Sequence, residues 1–263
     1  MVLATDTQLT GSSMKEFGTK ITTIGDHSLL ACSGLSEYIE SFKRQVKDAI
    51  EESERDPQVD LMKVLDQVRL QYAKQVDEER KFIPLDYMEE IGLRPSHFYP
   101  DAIFLTMALS KEASSKRIVS MNNPRPYVEV LHPMQRATAG TGGDIAQIFL
   151  RTIEHAMGVA GFAFDQLPVR LVTQFCYIML GRVAFIDPSS SGVSIYELIQ
   201  DHERVSAKQM LDTDIFPKHH ANRDVSHFAE FLETARNEIP RDALKNFLGF
   251  YNIDPLALLN GSR

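Results

Sequence analysis

Met1-Val2-Leu3-Ala4-Thr5-Asp6 opens the chain as a short apolar strand closed by an acid. It reads as the second half of a strand hairpin, so a strand is expected in front of it. Working outward, Ile21–Ile24 and Ser28–Ser33 read as two further strands. The Gly25-Asp26 pair between them is a hairpin turn signal, because Gly tolerates the positive φ that tight hairpins need. Lys20 sits at the mouth of this second hairpin, and Ser33-Gly34 closes it.

Helical spacing follows. Ile39, Phe42, Val46, Ala49 and Ile50 recur on one face. Asp56-Pro57 is expected to restart the pattern, with Asp as N-cap and Pro in the first turn. Leu61, Val64, Leu65, Val68 and Tyr72 form the next stripe. Residues 77–100 carry Pro84, Gly92, Pro95 and Pro100 and read as an irregular insertion with at most a short helix at 86–91. Strands are expected at 102–109, 117–121 and 127–131. Gly140-Thr141-Gly142-Gly143 then opens a helix with Ile145, Ile148, Phe149, Thr152, Ile153 and Ala156 inward. Pro168 opens another, with Val172, Phe175, Met179, Val183 and Ile186 inward. Asp187 to Gly192 turns into a strand at 193–199. Two more apolar stripes lie at 228–235 and 244–251.

Helices thus come in pairs between groups of strands, which argues against a doubly wound parallel sheet. The expected fold class is α+β: a four-layer αββα sandwich of two antiparallel sheets with helix pairs on the outer faces. Residues 1–200 form that domain, and 201–263 form a helical C-terminal extension packed on it.

Composition narrows the functional classes. The chain has 263 residues, 43% apolar and 24% charged, in the range of ordinary globular proteins. The net charge of −8 opposes binding to nucleic-acid phosphates. Lys43-Arg44 stands among Asp48, Glu51 and Glu52 and reads as a solvated helix face. The two cysteines, Cys32 and Cys176, lie in apolar surroundings and read as buried thiols in a reducing compartment, taken as cytoplasmic. No apolar run is long enough to span a bilayer, and no signal peptide is visible. His219, His220 and His227 lack an accompanying cysteine or carboxylate set, so no metal is expected. Gly140–Gly143 lacks the Lys-Ser/Thr ending of a phosphate loop. No cofactor is implied.

The landmarks gain meaning from their order. Val2-Leu3-Ala4-Thr5-Asp6 followed by Thr10, then Gly18-Thr19-Lys20-Ile21, Ser33-Gly34, Ala139-Gly140-Thr141-Gly142, and Asp187 with Ser191-Gly192 together resemble a proteasome-type β subunit, a member of the N-terminal-nucleophile hydrolases. The resemblance covers roughly 2–199. In such enzymes an amino-terminal Thr attacks a carbonyl with its hydroxyl, and a base nearby takes the proton. A buried Lys supplies positive potential, an Asp fixes that Lys, and a backbone N–H stabilises the oxyanion. The resemblance implies that Asp6 pairs with Lys20, that Gly34 lends the oxyanion donor, and that Thr141, Asp187 and Ser191 frame the terminal amine. Thr10 and Ser33 would border the substrate, a peptide or protein. A homo-oligomeric ring is implied as well.

The departures are definite. The amino-terminal Thr is not in this sequence. Thr141 stands where the family has Ser, one residue is added between Asp187 and Ser191, and the loop from Thr10 to Lys20 is shorter. Exposing Thr7 or Thr10 by self-cleavage would discard Asp6, and Thr5 lies too close to Asp6 to be the attacking group. Neither cysteine is near the terminus. Two readings stay open: a threonine-type peptidase subunit whose nucleophile lies outside this sequence, and a non-catalytic assembly subunit of a ring. Retention of the costly Asp6–Lys20 pair and the unpaired sheet edge left by a missing strand favour the first.

Overall fold

The structure is a computed structural model. It describes residues 1–6, 8–10, 15–17, 20–25, 27–53, 60–90, 98–109, 114–121, 129–131, 136–140, 142–159, 167, 169–187, 192–201 and 204–213. The class is α+β with antiparallel sheets. Strand β1 (Val2–Thr5) is followed by the short hairpin β2 (Gln8–Thr10) and β3 (Lys15–Phe17), then β4 (Ile21–Ile24) and β5 (Ser28–Ser33). Helices α1 (Ser36–Ser53), α2 (Leu61–Arg80) and α3 (Leu85–Glu90) come next. They precede β6 (Asp101–Leu109), β7 (Ser114–Met121) and β8 (Glu129–Leu131). Helices α4 (Gly143–Val159) and α5 (Val169–Ile186) lead to β9 (Val193–Asp201) and β10 (Arg204–Thr213). One sheet runs β4-β5-β6-β7-β8, and a second runs β1-β9-β10.

Period-two alternation sorts the core. In β5 and β6 every described side chain except Ser33 and Asp101 is buried, and neighbours face opposite ways. Leu30, Cys32, Ala102 and Phe104 meet α1 and α2 through Ile39, Phe42, Val46, Leu65 and Tyr72. Leu29, Ala31, Ile103 and Leu105 meet Leu3 of β1 and Leu198 of β9 instead. The other face of the β1–β9 pair, Val2, Ala4, Val193 and Ile195, packs on Leu180, Cys176 and Ala184 of α5. Strands buried on both faces need apolar residues at nearly every position, which β6 has. The buried hydroxyls of Ser28 and Thr106, opposite one another in register, bond to each other at 2.9 Å.

Several expectations need correction. Asp56 and Pro57 lie outside the described residues, and the N-cap of α2 is Asp60, whose carboxylate accepts from the Met62 N–H at 3.0 Å. The span from residue 77 is not irregular at its start: α2 runs to Arg80 and α3 follows. Met88 and Phe98 bury themselves against α1 and α2. Lys43 is not on a solvated face; it is 5% exposed and reaches Glu40 at 3.0 Å. On α4, Ile148 is 65% exposed and Thr152 is exposed, whereas Ala146 and Met157 are buried. The inward stripe is therefore rotated relative to the expected one. Ile186 of α5 is likewise exposed. Past residue 201 the chain first forms β10, paired along β9. The stripes at 228–235 and 244–251 lie outside the described residues. Among those described, no helix is long and apolar enough to cross a membrane.

Candidate active site

Asp6 leaves the end of β1, and Lys20 immediately precedes β4, so the two come from different sheets. The Lys20 ammonium donates to both carboxylate oxygens of Asp6, each at 2.8 Å. The side chains are only 12% (Lys20) and 20% (Asp6) exposed. Burial pushes the Asp6 carboxyl above its ordinary value of 3.8, and the Lys20 charge and hydrogen bond pull against that rise without cancelling it. The carboxylate of Asp187, after the last turn of α5, adds to the rise. Asp187 therefore lies within electrostatic reach of Asp6.

Ser33 ends β5, and Gly34, which follows it, has a φ of 146°, a region open to glycine alone. A Cβ there would approach the Pro100 Cα at 3.3 Å. Gly140, with φ 84°, backs directly onto Ser33: a Cβ on Gly140 would lie 2.4 Å from the Ser33 Oγ and 2.9 Å from its Cβ. Only a glycine fits. The turn then feeds α4 through Gly143 N–H to Gly140 carbonyl and Ala146 N–H to Gly142 carbonyl, both at 2.9 Å. Asp6, Lys20, Ser33 and Gly140 thus border one space, which the sequence alone could only order along the chain.

That space is a cavity of about 360 Å³. Its long wall is β1 from Met1 to Asp6. Helices α4 and α5 cover one side with Ala146, Leu150, Val172, Met179 and Val183. Ala31, Ile103, Leu105 and Ile118 of the larger sheet form the other. Its polar groups are Thr5, Asp6, Lys20, Ser33, Arg136 and Thr138. Arg136 was missed in the sequence; it grips Glu154 with paired bonds of 2.6 Å. Such a pair joins a loop to a helix and has no local periodicity to betray it. The hydroxyls of Thr5 and Ser194, opposite each other on β1 and β9, are both buried and have no hydrogen-bond partner among the described residues.

Cys32 is buried, and Cys176 is partly accessible and lines the cavity. Desolvation pushes both thiols up to about 12. Thr141 and Ser191 lie outside the described residues. Thr10 pairs with Lys15 in the β2–β3 hairpin, and its side chain is outside the description. Among the described residues no group of three His, Cys, Asp or Glu is placed to hold a metal ion. No protein-family model matches the chain, and no curated protein matches it.

Proposed function

We propose that the chain is a proteasome-type subunit of the N-terminal-nucleophile hydrolase class, an amide hydrolase of the threonine type acting on peptides. The observation that carries this is the bidentate Asp6–Lys20 pair, nearly enclosed at the end of a cavity bordered by Ser33 and Gly140. An ammonium held there lowers the cost of an alkoxide-like oxygen, and the Asp fixes its position. In the reaction a hydroxyl adds to an amide carbonyl and gives its proton to a base. The C–N bond then breaks, that proton leaves with the amine, and water activated by the same base hydrolyses the resulting ester to release the acid and restore the hydroxyl. Gly34 is assigned the oxyanion N–H, Asp187 with Thr141 and Ser191 the framing of the amine, and Thr10 and Ser33 the substrate border. The separate apolar clusters on either side of each sheet support a four-layer αββα sandwich. The two free cysteines support a reducing compartment such as the cytoplasm.

The test uses protein purified natively from its source and a peptide with a carbonyl electrophile at its C-terminus. The expected result is a stoichiometric adduct on a hydroxyl residue, seen by intact mass, together with cleavage of fluorogenic peptide amides. Both should be lost in Lys20→Ala. A folded protein that gives neither adduct nor cleavage sinks the hydrolase reading. One observation favours the assembly reading as a second: Ile148, Val169 and Ile186 on α4 and α5 are exposed at 65%, 45% and 54%. Apolar helix faces of this kind suit packing between copies in a ring. Native mass spectrometry is expected to give a homo-oligomer, and monomer alone at micromolar concentration would count against the ring.

A further inference from the structure

Helix α2 ends in a bonded corner. Its C-cap, Lys81, keeps right-handed helical geometry at φ −60° and ψ −22°. Successive backbone bonds then tighten the chain. Lys81 N–H donates to the Glu78 carbonyl at 3.2 Å, Phe82 N–H to that of Glu79 at 3.1 Å, and Ile83 N–H to that of Arg80 at 3.0 Å. Met88 N–H donates to the Pro84 carbonyl at 3.1 Å as α3 begins. Ile83 and Met88 anchor the corner on the core beside α1 and α2. The same corner turns apolar groups outward. Phe82 is 87% exposed, more than any other large apolar side chain among the described residues. Tyr87 is 53% exposed, and Pro84 between them is exposed too. Backbone bonds and buried anchors hold both rings in presentation.

We propose that the α2–α3 corner docks a short arginine-rich segment with an apolar anchor, carried by a separate protein. The charge around the rings names the occupant. Residues 77–90 hold six acids and two bases. Asp77, Glu78, Glu79, Asp86 and Glu90 are all exposed. Arg80 turns back on Asp77 at 3.7 Å, and the Tyr99 hydroxyl also donates to Asp77. Lys81 is the other base, so the rim keeps a negative surplus. A guanidinium suits both parts of this surface. It stacks on an aromatic face, and it pairs a carboxylate through two parallel hydrogen bonds. An ammonium matches the charge but lacks the planar fork, so Arg is favoured over Lys. The rings supply the desolvated contact, and the acids steer the encounter and set the register.

Other occupants bring the wrong charge. Nucleic acids and anionic lipid surfaces add negative charge to an acidic rim. A second copy related by a two-fold axis sets this corner against itself, acid against acid. Each copy also carries a net charge of −8. The apolar part is small, which places the contact among weak, transient encounters. The claim is binding alone. It uses neither Asp6, Lys20 nor the cavity, so it stands or falls apart from the hydrolase reading.

The test uses the full chain and the fluorescein-labelled peptide Arg-Arg-Leu-Phe-Arg-Arg, with versions in which every Arg is Lys or Glu. Fluorescence anisotropy is expected to give a Kd on the order of 10–100 μM for the Arg peptide. Binding should be about threefold weaker for the Lys peptide and absent for the Glu peptide. Phe82→Ala should weaken binding by about tenfold. It should leave the urea midpoint unchanged, because the ring is 87% exposed. Asp86→Lys reverses a charge inside the corner and should weaken binding by a similar factor. Glu52→Lys in the last turn of α1 makes an equal change of net charge outside residues 77–90 and should leave binding intact. Absence of binding at millimolar protein, full binding by Phe82→Ala, or an equal loss in Glu52→Lys would each overturn the proposal. So would sedimentation in which Phe82→Ala breaks a dimer, since the occupant would then be a second copy.

Discussion

Replacing Lys20 by Met removes an ammonium while keeping most of an apolar stem, and it isolates the electrostatic part of the site. In the native chain Lys20 holds both oxygens of Asp6 at 2.8 Å with little exposure of either group. Asp6 already resists ionisation, because burial outweighs the help from Lys20. Removing Lys20 leaves that carboxylate facing Asp187 with no cation holding it. Breaking a buried pair from one side costs about 3–5 kcal/mol; the residual exposure of this pair reduces the expectation to about 2–3 kcal/mol at pH 7.5. For a chain of this size that lowers Tm by about 4–10 °C. The pH dependence follows from linkage. A carboxyl whose folded pKa is raised binds its proton more tightly in the folded state, so its contribution is most favourable below the ordinary 3.8 and is lost as pH rises through the folded value. Lys20→Met raises that value further, so its penalty should shrink as pH falls from 7.5 to 5. The assay is urea unfolding of wild type, Lys20→Met, Asp6→Asn and the double variant at both pH values. The double variant should lose less than the sum of the singles. A Lys20→Met cost below about 0.5 kcal/mol at pH 7.5, or one that grows towards pH 5, would refute this account.

Gly140→Ala should destabilise by about 2–4 kcal/mol, combining a positive φ with a Cβ forced onto Ser33. Adding Ser33→Gly should recover the steric share alone, read from urea midpoints. Cys32 should resist thiol reagents in the folded protein at pH 8, reacting only on the timescale of unfolding, since its thiol is buried and pushed up to about 12. Its linkage has a fixed sign: the protonated thiol favours the fold, so this contribution falls as pH rises from the ordinary 9.0 towards 12.

Local patterns carried much of the fold. Ile21–Ile24 and Ser28–Ser33 have the bounds expected from their turn, where Gly25 has φ 53°. Helix α1 buries Ile39, Phe42, Val46 and Ile50 as the spacing required. What escaped was decided by tertiary structure. The β2–β3 hairpin pairs Gln8-Leu9-Thr10 with Lys15-Glu16-Phe17, two three-residue strands too short and polar to show alternation. β10 reads as polar because Lys208 and Gln209 on this outer strand are exposed. Lys43 was placed by its charged neighbours, yet its stem packs inward while its ammonium reaches Glu40. On α4, Ile148 and Ile153 looked alike, yet Ile148 is exposed and Ile153 is half-buried. The Asp6–Lys20 pair was legible through motif order alone. Its two members are fourteen residues apart, and the stacking of two sheets brings them together.

That stacking also bears on why the pair is there. An apolar couple of similar volume would join β1 to β4 at less desolvation cost, because buried ion pairs seldom improve on hydrophobic replacements. Asp6 makes the cost visible, since its carboxyl is driven towards the neutral form even with Lys20 in place. The structure nevertheless places this pair on the border of a cavity lined mainly by apolar side chains, together with the glycine that must back onto Ser33. Stability alone would put the charge elsewhere. A held ammonium with little exposure is instead the arrangement that the proposed reacting oxygen requires: positive potential fixed in advance and little water. The proposed hydrolase chemistry therefore draws on a departure from the most stable packing, and the Lys20 substitution tests it by removing the potential.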